Sequence, residues 1–223
     1  EALIRWQHPE KGMIFPSDFI PVFEKNGTIC KLDLFVFEQT CQFINQRIAK
    51  GDSIFPISVN LSRHHFKNVN FLSKFVAIKN KYQTPDGFIE LEMTESIIFD
   101  GGEFSCVKNM IDQMHKAGFH CSLDDFGFGY SSLSLLSEFD VDTVKLDRSF
   151  FTDETAERSK WVVEAIVNLT KKLRIQTVAE GIESVSQLDE LRKMGCDMVQ
   201  GYVYSKPLPI QDFEQWIRDN EGC

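Results

Sequence analysis

An α/β fold of the (β/α)8-barrel class is what the sequence predicts, and two features predict it. Short strand-like runs alternate with longer segments of helical period, and carboxylates recur where the short runs end. The acids stand in Glu90-Leu91-Glu92-Met93-Thr94-Glu95, in Leu123-Asp124-Asp125-Phe126-Gly127 and in Thr177-Val178-Ala179-Glu180-Gly181. Acids repeated where parallel strands end suggest a site for divalent metal, because hard cations take oxygen ligands.

Taken in order, Glu1 to Arg5 reads as a strand and Asp33 to Lys50 as a helix. The strand Ile54 to Asn60 comes next, then the strand Gly87 to Leu91. The helix Phe104 to Ala117 stops at Gly118, and the strand Phe119 to Leu123 follows directly. Val141 to Lys145 is a strand, Glu157 to Leu173 a helix and Ile175 to Ala179 a strand. The helix Ser186 to Met194 stops at Gly195 before the last strand, Asp197 to Gln200. Seven strands result, one short of a closed barrel of eight, so the first strand region is expected to be missing upstream of Glu1. An open doubly wound sheet is the alternative, but no Gly-rich nucleotide fingerprint follows the first strands. No Pro/Gly/Ser-rich linker divides the chain, so residues 1–223 are expected to be one domain, a fragment of a longer regulatory protein.

The composition narrows the partners. A net charge of -9 disfavours a basic surface for long nucleic acids but leaves room for a small anion held through metal ions and local cations. The six cysteines form no CxxC pair and no metal-ligand spacing, which favours reduced thiols in a cytoplasmic setting over a disulfide framework. No apolar run approaches the length that crosses a bilayer, so any membrane attachment is expected from domains outside this chain.

Glu1-Ala2-Leu3-Ile4-Arg5-Trp6, Asn60, Glu92-Met93-Thr94-Glu95, Asp124 to Ser132, Lys145-Leu146-Asp147, Glu180-Gly181-Ile182-Glu183 and Gln200-Gly201-Tyr202 resemble, in order, the successive motifs of the EAL domain family. The resemblance covers essentially the whole chain. It implies a modified TIM barrel that opens cyclic di-GMP to linear pGpG with two magnesium or manganese ions. A homodimer is also implied, in a parent protein that can be membrane-anchored. Calcium could occupy the same oxygen ligands without supporting the chemistry, since its coordination is looser.

By the same resemblance, Glu1, Asn60, Glu92 and Asp124 are direct ligands of one ion, while Asp124, Asp125 and Glu180 surround the second and its water. Glu95 and Glu183 are implied to support them. The chemistry agrees, because cleaving a phosphodiester needs a nucleophilic water and charge relief on the phosphoryl oxygens. Taken singly, Asn60 suits a turn or helix cap, and Asp124-Asp125 a cap pair before a helix. Their joint placement at different strand ends reverses that preference.

Lys145 shares a strand face with Val141 and Thr143, and beside several carboxylates its ammonium can orient water and offset phosphate charge. Glu180 is the leading general base, although the group that takes the proton is left open. Leu3, Arg5 and Gln200 are candidates for binding substrate. Period two puts Glu1, Leu3 and Arg5 on one face, and a guanidinium there can donate two parallel hydrogen bonds to phosphate. Asp125-Phe126-Gly127-Phe128-Gly129-Tyr130-Ser131-Ser132 reads as a mobile active-site loop. It departs from the commoner family pattern at Phe128, where a small residue is usual, and this bears on loop conformation, dimer coupling and rate. A catalytically silent cyclic di-GMP receptor is the alternative function.

Overall fold

The computed structural model describes residues 1–68, 70–94, 104–127, 133–152 and 157–220. The chain opens on an antiparallel pair, β1 (Trp6–His8) and β2 (Gly12–Ile14), followed by helices α1 (Pro16–Asn26) and α2 (Ile29–Lys50). Alternation then takes over: β3 (Ile57–Asn60), α3 (Leu72–Lys81), β4 (Ile89–Thr94), α4 (Phe104–Lys116), β5 (His120–Phe126) and α5 (Leu133–Glu138). It continues with β6 (Thr143–Leu146), α6 (Glu157–Leu173), β7 (Gln176–Ala179), α7 (Val185–Met194) and β8 (Met198–Val199), and α8 (Ile210–Asn220) ends the described chain.

Strands β3 to β8 form one parallel sheet in chain order, curled as a half-barrel and backed by helices. Parallel neighbours need a crossover between them, and burial on both faces makes their strands apolar throughout. Thus Val59, Leu91, Val144 and Ala179 are inaccessible, and all four residues of β6 are buried. Between sheet and helices, Phe37 meets Phe75 edge to face at 4.8 Å and Phe119 at 5.7 Å.

The expected strand from Glu1 to Arg5 shrinks to one bridge. Ala2 donates its N–H to Ser58 O at 2.9 Å and pairs with Val59, after which the chain leaves the sheet edge for the β1–β2 hairpin. Exposure still alternates by residue, with Leu3 and Arg5 outward and Ala2 and Ile4 partly covered, but the Glu1 side chain is largely covered, its carboxylate turned in toward Lys145. Gly118 and Gly195 end their helices in left-handed conformation, as expected. Helix α1 is unexpected, since Pro16 and Pro21 obscure its periodicity; Pro16 stands in its first turn, where a missing N–H costs nothing.

The two ends of the sheet do different work. At the N-terminal end of the strands, buried Lys79 pairs with Asp86, donates to Ala117 O at 3.0 Å and lies over the Phe119 ring. At the C-terminal end, the exits of β7 and β8 are laced by backbone: Ile182 N–H donates to Gln200 O at 3.2 Å, and Val203 N–H to Ile182 O at 3.0 Å. That lacing requires glycine at 201, because an added Cβ would stand 2.1 Å from Ile182 O. Among the described residues no helix is long and apolar enough to cross a membrane.

Gly201→Ala is therefore expected to destabilise the protein by about 1–3 kcal/mol through overpacking against backbone. A lowered urea midpoint at unchanged slope is the expected reading, and an unchanged midpoint would contradict the close approach.

Candidate active site

Parallel register sets the site. Asn60 lies level with Glu92 across β3–β4, and Asp124 with Thr94 across β4–β5. One residue beyond the sheet, Glu180 N–H donates to Leu146 O at 3.0 Å and Gln200 N–H to Ala179 O at 2.8 Å. Asn60, Glu180 and Gln200 thus stand at or just beyond their strand ends and Glu92 and Asp124 two residues before theirs, at the C-terminal rim where barrel folds carry chemistry.

Two adjacent aspartates in a regular strand would face opposite sides. Here the register between β5 and β6 shifts between Leu123 and Phe126, and Asp125 takes a left-handed φ of 55°. This irregularity lets Asp124, Asp125 and Glu180 each offer a carboxylate oxygen within 4.8 Å of the others.

The centre of the cluster is Lys145. Its Nζ lies 2.6 Å from Glu92 Oε1, 2.7 Å from Glu180 Oε1, 3.4 Å from Asp124 Oδ1 and 3.7 Å from Glu1 Oε2. Glu1 is held from both sides, since Asn60 Nδ2 donates to its Oε1 at 2.9 Å and Gln200 Nε2 to its Oε2 at 2.8 Å. Although Lys145 is close, both oxygens of Glu92 and Oδ1 of Asp124 are buried without an aligned hydrogen-bond partner among the described residues. Buried acceptors in that state are costly, and a hard cation satisfies them. The donor set, all carboxylates with one amide, thus fits magnesium or manganese.

The electrostatics record the crowding. Burial pushes the Glu92 carboxyl up to about 8, against the pull of Lys145 and helped by Glu1 and Asp124. Burial likewise pushes Glu180 up to about 7, with Lys145 opposing and Asp124 assisting. Asp125 is raised by burial, then by Asp124 and Asp147. Glu1 moves the other way: burial would raise it, but Lys145 and the Gln200 hydrogen bond prevail. For Lys145, burial is outweighed by Glu92, Glu1, Asp124 and Glu180, so the ammonium is held above its ordinary range.

The structure therefore brings Glu1, Asn60, Glu92, Asp124, Asp125, Lys145, Glu180 and Gln200 together. Gln200 contacts Glu1 directly. Leu3 and Arg5 are exposed on the first segment, where Arg5 Nη1 donates to Ile4 O at 2.8 Å. Glu183 is exposed before α7, and its N–H donates to Gln187 Oε1. Glu95 and the loop residues Phe128 to Ser132 lie outside the described residues. Asp147, noted only within its motif, accepts from Ser149 N–H at 2.9 Å, and its charge acts on Asp125. Asp33 and His65 form a further buried pair beneath β3, which no local pattern in the sequence connects.

The family model for the EAL domain matches residues 1–207. The chain is 33% identical over 219 residues to the cyclic di-GMP phosphodiesterase NbdA of Pseudomonas aeruginosa, covering 98% of this chain and 28% of that protein. It is 34% identical over 219 residues to the cyclic di-GMP phosphodiesterase PdeR of Escherichia coli, covering 98% of this chain and 33% of that protein. The chain thus spans about a third or less of the length of these curated relatives. The PaMucR phosphodiesterase in its cyclic di-GMP complex superposes with a TM-score of 0.87 at 30% identity, over 95% of this chain and 85% of that one. The FimX EAL domain from Pseudomonas aeruginosa reaches 0.83 at 17% identity over 92% of this chain and 81% of that one, a likeness of fold alone.

The raised carboxyls set a pH dependence for the chelator-stripped protein. Glu92 and Glu180 keep protons in the folded chain at pH values where the unfolded chain, near 4.5, has lost them. Their contribution is full below about 4.5 and lost as pH rises through about 7 and about 8. The urea midpoint is expected to fall across that window, and Glu92→Gln to flatten the fall. A midpoint that rises over the same window in the unsubstituted protein would contradict the assignment.

Proposed function

The chain belongs to the EAL domain family, and we propose that it hydrolyses cyclic di-GMP to linear pGpG at the rim of its half-barrel, using two magnesium or manganese ions. One observation carries this reading: four carboxylates from separate parts of the chain converge on a single buried ammonium, with oxygens left over for cations. Relatives named as cyclic di-GMP phosphodiesterases support the choice of substrate.

Glu1, Glu92 and Asp124, with the Asn60 carbonyl, are suited to hold one ion; Asp124, Asp125 and Glu180 are suited to hold the other. Asn60 Nδ2 already points at Glu1, which leaves its oxygen for a cation. Bound divalent ions supply charge relief on the phosphoryl oxygens and acidify water. Glu180, whose burial places it near neutrality, is the group we assign to receive the proton from the attacking water. Lys145, 2.7 Å from Glu180, steadies that carboxylate and offsets charge as the phosphorane forms. Arg5, one of whose N–H groups goes to Ile4 O, has further donors suited to a phosphate, Leu3 offers an apolar contact, and Gln200 keeps Glu1 in place. We place the protein in the cytoplasm as a homodimer, with any membrane attachment carried by segments outside this chain. Calcium is expected to bind without turnover.

A silent receptor would be favoured by loss of a cation ligand, and each of Glu1, Asn60, Glu92, Asp124 and Asp125 is present. Incubation with cyclic di-GMP and Mg2+ or Mn2+, followed by chromatography, is expected to yield pGpG that a chelator abolishes. Glu180→Gln is expected to lower kcat by about 10²–10⁴-fold, the range of a lost general base, with nucleotide binding retained. Nucleotide binding without product in either metal would favour the receptor.

A further inference from the structure

We infer that Asp33 and His65, buried behind β3, are positioning residues for the cation-binding side chains, acting through the backbone of Ser62; this rests on the metal-dependent reading above.

Asp33 comes from α2, where an apolar residue would pack at less cost, since a buried carboxylate must be fully partnered. Its Oδ2 accepts the Ser62 N–H at 2.9 Å and lies 3.0 Å from His65 Nε2. Both side chains are buried, Asp33 at 6% exposure and His65 at 4%. The His65 ring sits 5.5 Å from the Phe71 ring and 5.2 Å from the Phe75 ring, which ties the pair to the aromatic core.

What the pair holds is the exit of β3. Three consecutive residues there are each pinned to a different partner. The Asn60 side chain donates to Glu1, Leu61 N–H donates to Glu92 O at 2.8 Å, and Ser62 N–H donates to Asp33. Ser62 Oγ also accepts His64 N–H at 3.3 Å and so starts the short 3-10 turn Arg63–Lys67 that returns His65 to Asp33. The loop is closed: Asp33 fixes Ser62, Ser62 starts the turn, and the turn delivers His65. Asn60 and the Glu92 carbonyl are attached to this loop, so the pair controls where a side-chain oxygen and one end of a carboxylate strand stand. Partners that orient metal ligands through hydrogen bonds typically govern affinity by 10–100-fold when lost.

The test is Mn2+ titration of chelator-stripped protein without substrate, read by calorimetry or by electron paramagnetic resonance. His65→Leu fills the pocket between Phe71 and Phe75 but removes the ring nitrogen. His65→Gln keeps an N–H donor. Ser62→Pro deletes both the N–H that Asp33 accepts and the Oγ that caps the 3-10 turn, so it cuts the loop at Ser62 while keeping the side chains of Asp33 and His65, and the Ser62 φ of -65° suits proline. Circular dichroism identifies which variants fold, and either His65→Leu or Ser62→Pro suffices. The expected result is Mn2+ binding weakened about 10–100-fold in these two and kept within a few-fold in His65→Gln. Unchanged affinity in a folded His65→Leu or Ser62→Pro protein would overturn the inference, as would His65→Gln losing as much as His65→Leu. If the unsubstituted protein binds no Mn2+, the reading beneath the inference falls and takes the inference with it.

Discussion

The site depends on one buried ammonium facing an excess of carboxylates. Lys145 Nζ has Glu92, Glu180, Asp124 and Glu1 within 3.7 Å, and one positive charge cannot balance four negative ones where water is excluded. Burial, assisted by the neighbouring carboxylates, raises Glu92 and Glu180, whereas at Glu1 burial is outweighed by Lys145 and the Gln200 hydrogen bond. Glu92 and Glu180 hold protons at unusually high pH, and Lys145 holds its own more firmly still. A rim so built offers the oxygen ligands that hard cations take.

The fold supplies this imbalance without strain in most of the sheet. Parallel strands of matched register bring their last residues to one rim, and β6, buried along its length, has no alternative direction for Lys145. Within the strands of the sheet, among the described residues, a left-handed non-glycine backbone occurs at Asp125, where it costs of order 1–3 kcal/mol and sets two consecutive aspartates toward one site. Stability is secured at the other end, where Lys79, Asp86 and the Ala117 carbonyl close the loops beneath Phe119. Chemistry and cohesion are thereby separated along the strand direction.

Much of this was legible in the sequence because it is local. Strand runs ending in Glu92, Asp124 and Glu180 announce their own position, and Gly118 and Gly195 mark helix ends by their conformational freedom. The rest is set by partners distant in the chain. The Glu1 to Arg5 segment pairs only through Ala2, since β-structure needs a neighbour as well as a pattern. The irregularity at Asp125 depends on β6, and the Asp33–His65 contact spans 32 residues that share no periodicity. Glu183 is adjacent in sequence to its motif but faces solvent, because Gln187 claims its N–H for the start of α7.

The central claim is that the carboxylates around Lys145 form one paired cation site. Anomalous scattering from Mn2+-soaked crystals tests it most directly. Two peaks about 3.5–4 Å apart are expected, one among Glu1, Asn60, Glu92 and Asp124 and the other among Asp124, Asp125 and Glu180. No peak at the rim, with Lys145 still in contact with Glu92 and Glu180, would contradict it.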